Sequence, residues 1–142
     1  MLKIYVSLNK ASIDLPIFES GVSAGFPSPA EAEDHLDLSL DLNEYIIKHP
    51  ASTFYVYAKG DSMLKAGIHD GDLLVVDKSL SPIKKNIVIA IINGEFTVKR
   101  IISLNDKIYL NPDNEHYSPI EITSDMDFQV WGVVTHTIHK YI

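Results

Sequence analysis

The stretch that decides the fold is residues 86–102, which read NIVIAIINGEFTVKRII. Two runs rich in isoleucine and valine flank the dipeptide Asn93-Gly94. This dipeptide favours a type I′ turn, because both central residues of that turn need a positive φ. The stretch therefore predicts a two-residue β-hairpin, in which Lys99 lies opposite Val88 of an apolar partner strand.

Similar runs continue on both sides of the hairpin and are separated by turn residues. They are residues 54–58, 73–77, 86–92, 95–102, 107–110, 120–123 and 129–140. About seven short strands in one region predict a compact, mainly β domain of sandwich or barrel-like form. We expect this domain to span residues 51–142.

The chain up to about residue 50 has a different, irregular texture. Residues 20–30 contain two glycines and two prolines, which favour an exposed and extended N-terminal arm. Residues 25–50 contain six acidic residues against one lysine. We interpret this acidic arm as either a solvated linker or a surface for a partner.

One short helix is expected inside the acidic arm. Leu42, Tyr45 and Ile46 have the spacing of one helical face. Asp41 can cap the start of the helix, and Pro50 would stop it.

Composition excludes several classes of protein. The chain has 142 residues, a formal net charge of −7 and no cysteine. The negative charge disfavours direct, sequence-specific DNA binding, and the lack of cysteine excludes disulfide scaffolds and thiolate nucleophiles. No apolar run approaches the roughly 18 residues that cross a bilayer, and residues 1–14 lack the apolar core of a signal peptide. We therefore expect a cytoplasmic protein without a membrane partner.

The six histidines could in principle hold a metal ion. However, no HxH or HExxH pattern is present, and His136 and His139 would point to opposite faces of a predicted strand. We interpret the histidines as scattered surface residues and expect neither a metal nor another cofactor.

Two side chains are candidates for nucleophilic chemistry. Ser62 follows a predicted strand on a tight turn, where the amides of Ser62 and Met63 could form an oxyanion site. The alternative is that Ser62 only caps a short helical turn. Lys99, if buried, would have a lowered pKa and could act as a general base toward a serine. The alternative is a surface lysine whose stem packs on the sheet.

These candidates belong to a series of spaced motifs that resembles the LexA/UmuD family of self-cleaving serine peptidases. The motifs, in chain order, are residues 24–30 (AGFPSPA), 41–43 (DLN), 60–63 (GDSM), 71–77 (GDLLVVD), 94–100 (GEFTVKR), 111–112 (NP), 117–120 (YSPI) and 130–134 (VWGVV). The resemblance covers roughly residues 20–140. It implies a LexA-type peptidase β-domain with an N-terminal arm.

The resemblance implies a Ser-Lys dyad, with Ser62 as nucleophile and Lys99 as general base. It places the cleaved bond between Ala24 and Gly25, so that residues 1–24 form a removable segment. Residues 25–50 would then be the acidic arm, and residues 51–142 the peptidase and dimerisation domain. A segment of 24 residues is too short for the helix-turn-helix domain of a repressor.

The resemblance also implies partners and a biological setting. The protein would form a homodimer and would be processed in the DNA-damage (SOS) response, when a RecA nucleoprotein filament promotes cleavage. The cleaved form would serve as accessory subunit of a UmuC-like, error-prone translesion DNA polymerase. Whether cleavage occurs within one chain or between two stays open.

Two other functions are compatible with the same fold. In one, the protein is a non-cleaving regulatory binding module in which Ser62 and Lys99 never engage; the presence of both residues argues against it. In the other, it is a peptidase acting on other proteins, like the Ser-Lys signal peptidases. The lack of a transmembrane anchor in this sequence argues against that function.

Overall fold

The computed structural model describes residues 11–18, 21–26, 38–83 and 85–142. The chain divides into two compact units, Met1–Lys48 and His49–Ile142. Among the described residues, no helix is long and apolar enough to cross a membrane.

The first unit contains more regular structure than its sequence predicts. Strand β1 (Asp14–Pro16) pairs antiparallel with strand β2 (Ser39–Asp41), although both lie in a region expected to be irregular. Helix α1 (Leu42–Ile46) follows directly. It is shorter than predicted, because the next residue is already extended, well before the proline.

The predicted helix cap is present. Asp41 accepts hydrogen bonds from the amides of Asn43 and Glu44 at 3.0 and 3.4 Å, which satisfies two donors of the first helical turn. Residues 21–26 are all exposed and form neither helix nor strand. Residues 27–37, which contain four of the six acidic residues of the predicted acidic arm, lie outside the described residues.

The second unit is one antiparallel sheet of seven strands. They are β3 (Thr53–Tyr57), β4 (Leu73–Asp77), β5 (Ile87–Ile92), β6 (Glu95–Leu104), β7 (Lys107–Asn111), β8 (Ile120–Ile122) and β9 (Phe128–Ile138). Their order across the sheet is β3-β4-β9-β5-β6-β7-β8. Two short 3₁₀ turns, Pro50–Ser52 and Leu64–Ala66, flank β3 and its following loop. The prediction of a mainly β domain is confirmed.

The predicted hairpin joins β5 to β6. Ile92 pairs with Glu95 across the turn, and both turn residues have a positive φ, 50° at Asn93 and 83° at Gly94. Lys99 pairs with Val88, as the two-residue turn predicts.

The long strand β9 is central and irregular. Its pairing shifts register against both neighbours, β4 and β5, and such bulges bend a strand. Trp131 is the residue left without a partner in β5. At the next residue, Gly132, an added Cβ would lie 2.6 Å from Val76 Cγ1. Only glycine therefore lets β9 approach β4 this closely.

Two hydrophobic clusters cover the two faces of β5. Ile89 belongs to the first cluster, together with Met63 from the loop after β3. Val88 and Ala90 belong to the second cluster, which includes Leu110 of β7. Side chains alternate along a strand, so successive residues of β5 pack into different clusters.

Candidate active site

Ser62 lies on a turn that follows β3. Gly60 has φ +86°, a backbone conformation that residues with a side chain rarely adopt. Its amide donates a hydrogen bond to Asp70 Oδ1 at 2.7 Å. The amide of Leu64 donates to the carbonyl of Asp61 at 3.2 Å, which closes the turn. Met63 is almost fully buried in the first hydrophobic cluster. The buried methionine anchors the turn, and Ser62 remains partly exposed beside it.

Lys99 reaches Ser62 from the middle of β6. The two residues are far apart in sequence, yet Lys99 Nζ lies 2.9 Å from Ser62 Oγ. Nζ also contacts Thr97 Oγ1 at 2.8 Å and the carbonyl oxygen of Val98 at 3.0 Å. Thr97 lies two residues before Lys99, on the same face of the strand. The structure thus brings the predicted nucleophile and base together.

The surroundings of Lys99 favour its neutral form. Burial lowers the pKa of Lys99 below its ordinary value, because low-dielectric surroundings disfavour the charged amine. No carboxylate of the described residues lies within 4.0 Å of Nζ to oppose this effect. A neutral amine has two N–H groups, and these can donate hydrogen bonds to Thr97 Oγ1 and to the carbonyl oxygen of Val98. Its lone pair is then available to the hydroxyl of Ser62.

The loop of residues 111–117 holds the Ser62 turn from the other side. Asn114, which is buried, donates from Nδ2 to the carbonyl of Asp61 at 2.8 Å. Tyr117 donates from its hydroxyl to Asp61 Oδ1 at 2.5 Å. The amide of Asp113 contacts Met63 Sδ at 3.3 Å. Both chain neighbours of Ser62 are therefore fixed by one loop.

The same loop also holds the strand that carries Lys99. Asp113 accepts hydrogen bonds from Arg100 Nε at 3.0 Å and Arg100 Nη2 at 2.6 Å. This paired geometry is strong and directional. Sequence reasoning missed these supporting residues, because nothing in their spacing shows that the loop returns to the turn.

The proposed oxyanion donors have no internal acceptor. Neither the amide of Ser62 nor that of Met63 donates to another residue in the described part of the chain. Unpaired amides on a turn beside a nucleophile can stabilise a developing oxyanion.

Ser62 and Lys99 line a cleft of about 390 Å³. Its walls are mostly apolar and come from β3, β4, β5, the first half of β6 and the bulged part of β9. They include Val56, Tyr57, Leu74, Ile89, Phe96 and Trp131. Strand β3 is an edge of the sheet, and an edge strand can pair with an extended peptide. The cleft therefore fits an extended peptide substrate.

Ala24 and Gly25 belong to the first unit, and Ser62 and Lys99 to the second. Both residues of the predicted cleavage site are exposed. Residues 24–26 form a bend without helix or strand. Exposed, irregular backbone of this kind is accessible to a peptidase.

Three histidines lie against buried aspartates. His49 Nδ1 lies 2.5 Å from Asp77 Oδ2, and His139 Nδ1 lies at the same distance from Asp72 Oδ1. His69 Nδ1 lies 3.7 Å from Asp72 Oδ2. No sequence pattern predicts these contacts, because each one joins positions that are distant or irregularly spaced.

Comparisons with known proteins show which family the chain belongs to. Residues 16–135 match the family described as Peptidase S24-like. Protein SamA of Salmonella typhimurium is 49% identical over 125 residues, which cover 88% of this chain and 85% of SamA. Protein MucA of Escherichia coli is 42% identical over 128 residues, covering 89% of this chain and 86% of MucA.

A longer relative extends the comparison to the repressor branch. LexA repressor 2 of Pseudomonas syringae pv. tomato is 34% identical over 128 residues, which cover 90% of this chain and 61% of the repressor. These matches confirm the resemblance found in the spaced motifs. The chain belongs to the peptidase S24-like family.

Proposed function

We propose that this protein is a self-cleaving serine peptidase that cuts its own Ala24–Gly25 bond. One observation carries the proposal: Ser62 Oγ lies 2.9 Å from Lys99 Nζ, in a cleft that lacks a counter-charge for the amine among the described residues. A serine within hydrogen-bond reach of a desolvated amine is the arrangement that activates a hydroxyl without a histidine.

These contacts support a reaction in two stages, acylation of Ser62 and then hydrolysis of the ester. Neutral Lys99 accepts the hydroxyl proton of Ser62 while Oγ attacks the carbonyl carbon of Ala24. The amides of Ser62 and Met63 stabilise the negative oxygen of the tetrahedral intermediate. Lys99 then donates the proton to the departing nitrogen of Gly25, which leaves an ester on Ser62. Water hydrolyses this ester, again with Lys99 as base.

The biological role is proposed from family membership and from the similarity to SamA and MucA. In this role the protein acts in the cytoplasmic DNA-damage (SOS) response, where a RecA nucleoprotein filament promotes cleavage of the homodimer. The processed chain then serves as accessory subunit of a UmuC-like translesion polymerase. Similarity to SamA and MucA over most of each chain supports this role over that of a DNA-binding repressor.

The test is the intact mass of the purified protein followed over time at about pH 7 and about pH 10. Raising the pH populates neutral Lys99 and should accelerate cleavage without an inducer. We expect a fragment of residues 25–142 from the wild type and none from Ser62→Ala or Lys99→Ala. A parallel series at neutral pH contains RecA filaments on single-stranded DNA.

Each result decides between two functions. A fragment that begins at Gly25 and depends on both side chains establishes the dyad and the cleaved bond together. Wild-type protein that stays intact at high pH and with RecA filaments contradicts the proposal. That outcome favours the non-cleaving binding module, in which Ser62 and Lys99 are structural residues.

A further inference from the structure

We propose that His69, Asp72 and His139 bind a divalent transition-metal ion, with Zn²⁺ as the best fit. This site is independent of the Ser62 and Lys99 dyad. One potential ligand atom from each of the three residues lies within 4.8 Å of the other two.

The site is built where the ladder between β4 and β9 ends. Leu73 pairs with Ile138, so Asp72 and His139 occupy the next positions on the two chains. His69 comes from the turn before β4, and its backbone amide donates to Asp72 Oδ2 at 2.8 Å. Backbone pairing thus fixes the relative positions of the three residues.

Both carboxylate oxygens of Asp72 face an imidazole. Oδ1 lies 2.5 Å from His139 Nδ1, and Oδ2 lies 3.7 Å from His69 Nδ1. The two imidazole rings are neighbours, with centroids 4.6 Å apart. Burial alone would raise the pKa of Asp72, but the hydrogen bonds from the His69 amide and His139 lower it. Asp72 therefore contacts the two imidazoles through separate oxygens.

These distances are close to those of a metal site. Ligand atoms on a tetrahedral Zn²⁺ ion lie roughly 3.3 Å apart, given metal–ligand bonds of about 2.0 Å. The observed separations of 2.5 and 3.7 Å lie on either side of this value. All three ligand atoms lie within 4.8 Å of one another, so adjustment of the side chains would bring them to the separations of a tetrahedral site. The ion would replace the hydrogen bond between Asp72 and His139, whose imidazole would keep its proton on Nε2.

Exposure leaves room for entry and for water ligands. The side chain of Asp72 is only 2% exposed, whereas those of His69 and His139 are 48% and 35% exposed. The carboxylate of Asp72 therefore lies at the buried end of the site, and the two imidazoles lie at its exposed end. Imidazole nitrogens favour Zn²⁺ over Mg²⁺ and Ca²⁺, which prefer oxygen ligands.

The test is titration calorimetry of the untagged full chain with Zn²⁺, and with Mg²⁺ for comparison. We expect one Zn²⁺ ion per chain and no comparable binding of Mg²⁺. His69→Ala and His139→Ala should each weaken Zn²⁺ binding by at least about tenfold. The matched control is His136→Ala, which removes an exposed histidine of β9 that lies outside the three-residue group.

Thermal unfolding gives a second readout that also checks the fold of each variant. Zn²⁺ should raise the unfolding temperature of the wild type and of His136→Ala, because a ligand that binds only the folded state stabilises it. It should not raise that of His69→Ala or His139→Ala. Lack of Zn²⁺ binding by the wild type overturns the proposal, as does equal binding by all four proteins or equal affinity for Mg²⁺.

Discussion

Replacing Thr97 by aspartate should slow self-cleavage by moving the pKa of Lys99 back upward. Thr97 Oγ1 lies 2.8 Å from Lys99 Nζ, so a carboxylate at this position would contact the amine directly. Burial lowers the pKa of Lys99, whereas a nearby negative charge favours the ammonium form. The variant therefore opposes the effect on which the proposed mechanism depends.

The size of the effect follows from the distance. A carboxylate within hydrogen-bond distance raises the pKa of a cationic group by about one to three pH units. Each unit reduces the neutral fraction of Lys99 about tenfold at any pH below its pKa. Cleavage by Thr97→Asp should thus be about 10- to 1000-fold slower near neutral pH, and it should approach the wild-type rate at high pH.

The assay is the cleavage rate by intact mass, measured at half-unit steps between about pH 7 and pH 11. Thr97→Asn is the matched control, because it has the shape of aspartate and a hydrogen-bond acceptor but no charge. We expect its pH profile to lie close to that of the wild type. If the aspartate and asparagine variants lose the same activity at every pH, the charge on Lys99 does not govern the reaction, and the reasoning is refuted.

Three further variants test the surrounding structure by urea denaturation. Gly132→Ala forces a Cβ to within 2.6 Å of Val76 Cγ1 and should cost about 1–3 kcal/mol of unfolding free energy; an unchanged midpoint would contradict this. Asn114→Ala leaves the Asp61 carbonyl without its donor and should cost about 1–3 kcal/mol, and it should also slow cleavage, whereas His116→Ala should do neither. Burial raises the pKa of Asp77, but hydrogen bonds from side chains that include Ser79 and His49 lower it well below the ordinary 3.8. Its stabilising contribution is therefore complete above that value and declines as the pH falls below it. The wild type should exceed Asp77→Asn in stability at neutral pH, and the difference should shrink in acid; a constant difference would exclude this role of Asp77.

Six of the seven strands of the sheet were predictable because they have five or more residues, enough to show a pattern. The hairpin turn Asn93-Gly94 fixed a register, and that register placed Lys99 opposite Val88 as observed. Strands β1 and β2 have three residues each. Such short strands show no period, and β1 ends in a proline, which sequence rules assign to turns or strand edges.

The site was predictable only in part. Family motifs identified Ser62 and Lys99, but a sequence contains no distance between positions on different strands. The roles of Asn114 and Tyr117 depend on how the loop of residues 111–117 returns to the turn. The pair of histidines at Asp72 depends likewise on where β4 and β9 end. These contacts depend on how the strands and loops are arranged in the fold, which local sequence patterns do not show.

The two cations at the middle of β6 show how the strand period separates two functions. This chain has 19 acidic residues. The lack of a carboxylate beside Lys99 among the described residues therefore needs a structural explanation. Successive side chains of a strand point to opposite faces: Lys99 faces Ser62, whereas Arg100 faces the loop and binds Asp113. A shift of the hairpin by one residue would exchange these environments. Arg100 would then face Ser62, and Lys99 would face Asp113, whose carboxylate favours the protonated amine. The two-residue turn at Asn93-Gly94 is therefore a determinant of the proposed chemistry as well as of the fold.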